Sequence, residues 1–380
     1  MAQAILELDC FPIDRETGFE IGWDHARHGL TPPAEWLVIG SPLRHGWEAA
    51  RANFGKRTLA PTRVVRKWLQ LRLNAWRRGR AFESVQVTPN YLRQIDAEVC
   101  PVTREALTHC TGMLSDASID RVRNDAGYGA GNLAVMSTRA NRAKGDCDFD
   151  AALETMRRAE SAGGDGEGDG LAGLDAACWA RIAVLCSFVT PLPHEQAAGL
   201  PLLVLPPNRL RLFNPVQALQ ALVTRQFGRD GWSLRVARIE ALLPGKPLRR
   251  DFQRFVHAML PRVLEAGRDL DAAGRAWALE DAWRNPLVLH CWTRFARQLD
   301  AAACRRIVLR AAALRLLPGA VQPFDDVAQA TEGWALESGG YVVRRRAPRR
   351  VRALQPSSGT ISIAPQGHSA AQMPQPLQYS

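Results

Sequence analysis

The decisive stretch reads Ser118-Ile119-Asp120-Arg121-Val122, then Gly127-Tyr128, then Asn132-Leu133-Ala134-Val135-Met136-Ser137, then Asn141-Arg142-Ala143-Lys144-Gly145-Asp146, with Cys-Pro-Val-Thr ahead of it at 100–103. Ile119 and Val122 are β-branched and predict a short strand. Asn124-Asp125-Ala126-Gly127 and Gly129-Ala130-Gly131 are turn residues that tolerate positive φ. Leu133, Val135 and Met136 suit a returning strand. Ser137 is a good N-cap for a helix starting near Thr138. Asn141 then lies one turn inside that helix, on the side of Ser137. A helix packed across the hairpin would let the Asp120 carboxylate and the Asn141 amide oxygen converge. Both are hard oxygen ligands, suited to one magnesium or manganese ion.

These elements, in this order, resemble the HNH nuclease family with its ββα-metal fold. The resemblance covers residues 100–146 of the 380. It matches Asp120 to the metal-binding Asp that closes the first strand, Asn132 to the middle Asn that braces the loop, and Asn141 to the helix ligand. The spacing of nine from Asn132 to Asn141 and the following Arg-x-Lys-x-Asp at 142–146 are similar too. One departure stands out. The family places its general-base His after the Asp, and here that position is Arg121, which stays protonated and cannot take a proton. A phage-like and bacterial branch has Ser-x-Asp-Arg, Gly-Tyr and Asn in this same order. Three accounts follow. His109 could serve as base, the cation alone could lower the pKa of water, or the unit no longer cuts and Arg121 clamps a phosphate.

The neighbouring residues carry plainer alternatives. His109 is either a surface-loop histidine or the base, and Tyr128 either packs on the hairpin, the favoured reading, or touches a nucleic-acid backbone. Lys144 is either a solvated helix-end charge or a phosphate contact. A structural zinc on Cys100, Cys110 and Cys147 lacks the paired short spacing of ordinary zinc sites. Cys100 and Cys110 are better read as small apolar filling under the hairpin.

Charge extends the reading outward. The net charge is +11 and the pI about 9.8, which suits a polyanionic partner. Of the 49 basic residues only Lys56, Lys67, Lys144 and Lys246 are lysine, a skew that a GC-rich genome also produces. Residues 44–80 hold eleven Lys/Arg against the single acid Glu48. Within them 62–78 predicts an amphipathic helix between Pro61 and Gly79. Val65, Trp68, Leu69, Arg72 and Trp76 share one face. Arg63, Arg66, Lys67, Gln70, Asn74 and Arg77 share the other. Of these, Arg63, Arg66, Lys67 and Arg77, with Lys144, are the candidate nucleic-acid contacts. The tryptophans are read as core.

The expected fold is α+β: a small HNH-like ββα unit embedded in a mainly α-helical protein, followed by a separate helical domain. Residues 1–90 are a basic, mainly helical region, in which His25 and His28 belong to an ordinary helix or loop. The ββα unit spans 91–158, with helix from Phe149. Gly alternating with acids makes 159–173 a linker. Residues 174–320 predict helices at 175–189, 215–227, 233–243, 248–265, 270–283, 286–298 and 301–315, with Pro261 kinking or ending its helix. Residues 321–354 are a basic C-terminal segment, with six arginines between 340 and 352, and 355–380 predict a disordered tail.

No apolar run reaches transmembrane length, no secretory signal opens the chain, and eight scattered cysteines fit a reducing cytoplasm. The expected function is a metal-dependent HNH-type endonuclease acting on nucleic acid, DNA first. The alternatives are an inactive HNH-like nucleic-acid-binding protein, or a helical adaptor with a protein partner on 174–320.

Overall fold

The computed structural model describes residues 14–161, 173–269, 271–316 and 327–343. Most of the predicted linker, the arginine-rich segment from Arg344 and the tail lie outside the described residues.

The chain is mainly α-helical with one two-stranded antiparallel sheet among the described residues. Four helices come first: α1 Arg15–Arg27, α2 Pro42–Phe54, α3 Arg63–Arg77 and α4 Pro89–Ile95. Strands β1 Ala117–Arg121 and β2 Leu133–Ser137 follow, then α5 Thr138–Lys144 and α6 Phe149–Ser161. The second half holds α7 Ala176–Phe188, α8 His194–Ala198, α9 Pro215–Phe227, α10 Trp232–Glu240, α11 Lys246–Asp269, α12 Ala272–Ala282, α13 Pro286–Ala296 and α14 Ala301–Ala313. A last helix, α15 Val327–Ala330, opens a strap that ends at Val343. None of these helices is long and apolar enough to cross a membrane.

The hairpin register pairs Ser118 with Met136 and Asp120 with Ala134. Side chains alternate across a strand, and each face of this hairpin meets a different core. Leu133 and Val135 pack with Val65, Trp68 and Leu69 of α3 and Tyr91 and Leu92 of α4. Ala134 and Met136 pack with Cys100, Val122, Phe149 and the apolar residues of α7 and α9. All of β2 is therefore buried, while β1 keeps one free edge. The helical half shares its core with the hairpin instead of standing apart, and α6 and α7 pack together across the predicted linker.

Local signals account for the element ends. Thr62 caps α3 by accepting from the Val65 amide, and Asn214-Pro215 opens α9. Of the predicted kink or end at Pro261, the end does not occur: α11 runs through the proline to Asp269, with the ring exposed. Around it the apolar stripe of α11 anchors Phe252 and Phe255 among Trp283, Trp292 and Phe295, with Phe255 and Trp292 ring centroids 5.1 Å apart.

Arg72 falls on the buried side of α3, as its spacing places it. Asp24 and Glu20 of α1 answer its charge, and the guanidinium lies 4.7 Å from the Trp68 ring centroid. His25, on the same helix as Asp24, is buried with Nδ1 2.7 Å from the Ile21 carbonyl, and burial lowers its pKa.

The strap returns to the hairpin from the far end of the chain. Trp334 is fully buried, its Nε1 donates to the Ala130 carbonyl at 3.0 Å, and its carbonyl accepts from the Gly127 amide at 2.6 Å. Gly129 is required there, because a Cβ would sit 2.4 Å from the Trp334 ring.

Candidate functional site

The site is built by β1, the turn after it, and α5. Ser118 and Asp120 point to the same side of β1, and α5 lies against that side. The Ser137 Oγ accepts from the Ala140 amide at 3.2 Å and starts α5. Gly145, at φ 50°, ends it by donating to the Asn141 carbonyl at 3.0 Å. One turn apart on this short helix, Asn141 and Lys144 both reach β1. Asn141 Nδ2 donates to Ser118 Oγ at 2.6 Å. Lys144 Nζ donates to the Arg121 carbonyl at 3.1 Å and lies 3.0 Å from Asp120 Oδ2.

The Asp120–Lys144 pair is enclosed: the lysine side chain is 0 % and the aspartate 5 % exposed. Burial pushes the Asp120 carboxyl up from the usual carboxylate range, and the neighbouring ammonium opposes that. Burial also works against the Lys144 charge, but Asp120 outweighs it and holds the lysine above its ordinary value. The contact lies off the hydrogen-bond axis, so Asp120 Oδ2 receives charge without an aligned donor. Lys144 is thus neither the solvated charge nor the phosphate contact expected from the sequence. The same three-residue spacing that aims Asn141 at β1 aims Lys144 there too.

Two adjoining clefts flank the free edge of β1. The first, of about 370 Å³, is lined by Lys67, Gln70 and Asn74 of α3 and Arg78 just past it, by Ser118, Asp120, Arg121 and Asn124, and by Asn141 and Asp146. The second, of about 680 Å³, is lined by Arg63, Arg66, Lys67, Asp96, His109, Cys110 and Asp116, among others. They share Lys67, Gln70, Ser118 and Ile119, and so form one groove between α3 and the hairpin.

Asp120, Arg121 and Asn141 therefore line one cleft. His109 is exposed and lines the other one. Arg121 turns back on its own loop: Nη1 donates to the carbonyls of Asn124 (3.1 Å) and Ala126 (2.8 Å), with the guanidinium 5.2 Å from the Tyr128 ring centroid. Asn132 is fully buried and braces the same loop. Its Oδ1 accepts from the Arg123 amide at 2.8 Å, and its Nδ2 donates to the carbonyls of Arg123 and Gly127 at 3.0 and 3.1 Å.

The basic face of α3 divides. Arg63 is ion-paired to Asp96 at 2.6 Å. Arg66 is exposed and reaches the Pro61 carbonyl at 3.2 Å. Lys67 donates to the Ala117 carbonyl at 3.2 Å, lines both clefts, and has its pKa lowered by burial. Arg77 is exposed and lines neither cleft, whereas Arg78, one residue past α3, does. Cys100 fills the core and accepts from the Ser137 amide, but Cys110 is exposed and not the apolar filling expected. Its loop is held by Asp116, which collects donors from Thr108, Thr111 and Gly112, so its backbone turns outward.

The sequence reading gave no site role to Asn124, Asp146 and Arg78, which line the first cleft. Asn124 ties the turn to the end of α5 by donating to the Gly145 carbonyl at 3.1 Å. A signal existed for Asp146, which sits one residue past the Gly145 that ends the ligand-bearing helix.

The donor set can be tested against a cation. Among the described residues no group of three or more His, Cys, Asp or Glu side chains could hold a metal ion. Magnesium, however, is commonly held by one or two carboxylates and keeps several waters. Asp120 Oδ2 has no aligned donor, and Asn141 spends its Nδ2 on Ser118, leaving Oδ1 for another partner. Both candidates are oxygen donors, but Asp120 Oδ2 is occluded and already lies 3.0 Å from the Lys144 ammonium. Comparison with family models, with curated proteins and with solved structures gives no match.

Proposed function

We propose that the chain is a divalent-metal-dependent endonuclease of the HNH type, hydrolysing phosphodiester bonds of nucleic acid, with DNA as the first substrate. One observation carries this reading: Asp120 and Asn141 line one polar cleft beside the cationic side of α3. The strand–turn–strand–helix order around them supports the ββα resemblance. Asp120 and Asn141 would hold magnesium or manganese, which supplies stabilisation of the charge that develops on the phosphate and the leaving oxygen. Arg121 keeps the turn closed and presents fixed positive charge at the cleft. Arg66, Lys67 and Arg78 bind the backbone as point charges along the groove. His109, on the wall of the adjoining cleft, would be the base that accepts a proton from water in the groove.

A second reading is favoured by one specific contact. The Lys144 ammonium already neutralises the Asp120 carboxylate, which suits a protein that binds nucleic acid on this scaffold without cutting it.

Nicking of supercoiled plasmid with magnesium or manganese, with Asn141→Ala alongside, tests the two. Metal-dependent nicking that falls at least a hundredfold in Asn141→Ala supports the nuclease. Duplex binding without nicking transfers the proposal to the binding protein, and absence of both removes each.

A further inference from the structure

The loop from Thr108 to Asp116, on one wall of the larger cleft, is knotted around a single carboxylate. The Asp116 carboxylate accepts from Thr108 Oγ1 at 2.7 Å, from Thr111 Oγ1 at 2.7 Å, and from the amides of Thr111 and Gly112 at 3.0 and 2.7 Å. The backbone is tied as well: Thr108 N to Ser115 O, Asp116 N to Met113 O, and Arg139 N of α5 to Leu114 O at 2.9 Å. Cys110 is held at φ 58°, in a region that non-glycine residues seldom adopt. Its apolar tip turns outward, with Met113 62 % and Leu114 44 % exposed. Single exposed apolar residues are ordinary, but here two consecutive ones are held out by a strained, over-determined frame.

The surroundings name the occupant. His109, Cys110 and Asp116 of this loop form one wall of the larger cleft, and Arg63, Arg66 and Lys67 of α3 line the same cleft. On the other side Arg139 and Arg142 of α5 are exposed. An apolar tip between two cationic flanks matches a polyanion whose interior is apolar, which describes a stacked duplex. Met and Leu are residue types that insert between base steps and unstack them, with neighbouring cations holding the phosphates.

We propose that Met113 and Leu114 form a wedge that opens a base step of duplex nucleic acid lying in the groove. The inference rests on the reading that the groove takes nucleic acid. It adds that the duplex is distorted when bound.

The test uses the full chain in EDTA, so that binding is seen without cutting. The probe is a DNA duplex carrying 2-aminopurine at alternate positions, so that unstacking in any register raises its fluorescence, with binding followed separately by anisotropy. We expect the wild type to bind and to raise the fluorescence at least twofold. The double variant Met113→Ser/Leu114→Ser, folded by circular dichroism, should still bind, within about tenfold, and give no rise. Binding by the wild type with no rise, or an equal rise with the variant, overturns the wedge and leaves the nucleic-acid reading standing. Absence of duplex binding overturns both. Self-association of the wild type that the variant abolishes, with no unstacking, assigns the tip to a second copy and overturns the wedge.

Discussion

The Lys144 ammonium lies 3.0 Å from Oδ2 of Asp120, with the lysine side chain wholly enclosed. A buried ion pair adds little net stability, but removing one partner leaves the other charged and unsolvated. We predict that Lys144→Met destabilises the fold by about 3–5 kcal/mol, read from urea unfolding midpoints. The double variant Asp120→Asn/Lys144→Met should recover a large part of that loss. A Lys144→Met protein within about 1 kcal/mol of wild type would show that the pair is solvated.

Asn132 holds three backbone groups of the loop between the strands. Asn132→Ala should cost about 2–4 kcal/mol, since each bond contributes about 1 kcal/mol and the abandoned groups stay buried. The cost should be local, with faster amide exchange over residues 123–131 and unchanged exchange in α9. Uniform acceleration across the protein would contradict a loop-bracing role.

Gly129 faces the ring of Trp334, more than two hundred residues away in the chain. Gly129→Ala should overpack this contact and cost about 1–3 kcal/mol, while Trp334→Ala should open a cavity and cost about 3–5 kcal/mol. Thermal unfolding of both variants checks this. An unchanged melting temperature for Trp334→Ala would mean that the strap does not hold the loop.

Hydrogen bonds from Thr111 and Thr108 lower the Asp116 pKa to about 2. A carboxylate held below its unfolded value, about 3.9, stabilises its surroundings above that pH, and the effect fades as pH falls through the folded value. The amides of Thr111 and Gly112 should therefore keep their protection at pH 5 and lose it as pH approaches 2. In Asp116→Asn they should be weakly protected throughout. Equal protection factors in both proteins at pH 5 would refute the carboxylate's part in the loop.

Much of this protein could be read from consecutive residues. Ile119 and Val122, the turn residues between 124 and 131, and Ser137 before Thr138 predicted the hairpin and the following helix. The structure places them at β1, β2 and α5. Pro61, Gly79 and the apolar spacings did the same for α3 and most of the second half. Caps, turns and helical periodicity act within a few residues, so the order of the chain carries them. That Asp120 and Asn141 line one cleft follows from the same local order, since a hairpin followed at once by a helix leaves that helix few places to pack.

Only the tertiary structure decided what surrounds those two side chains. Lys144 is enclosed because the core around Cys186 and Val122 closes over α5, and that core comes from helices the local pattern could not orient. Arg78 and Lys67 face the cleft because α3 packs its apolar side on β2. Trp334 reaches the loop from more than two hundred residues further along the chain. Spacing along a chain says which side chains share a face. Which charge loses its water, and what meets it there, depends on segments that arrive from elsewhere in the sequence.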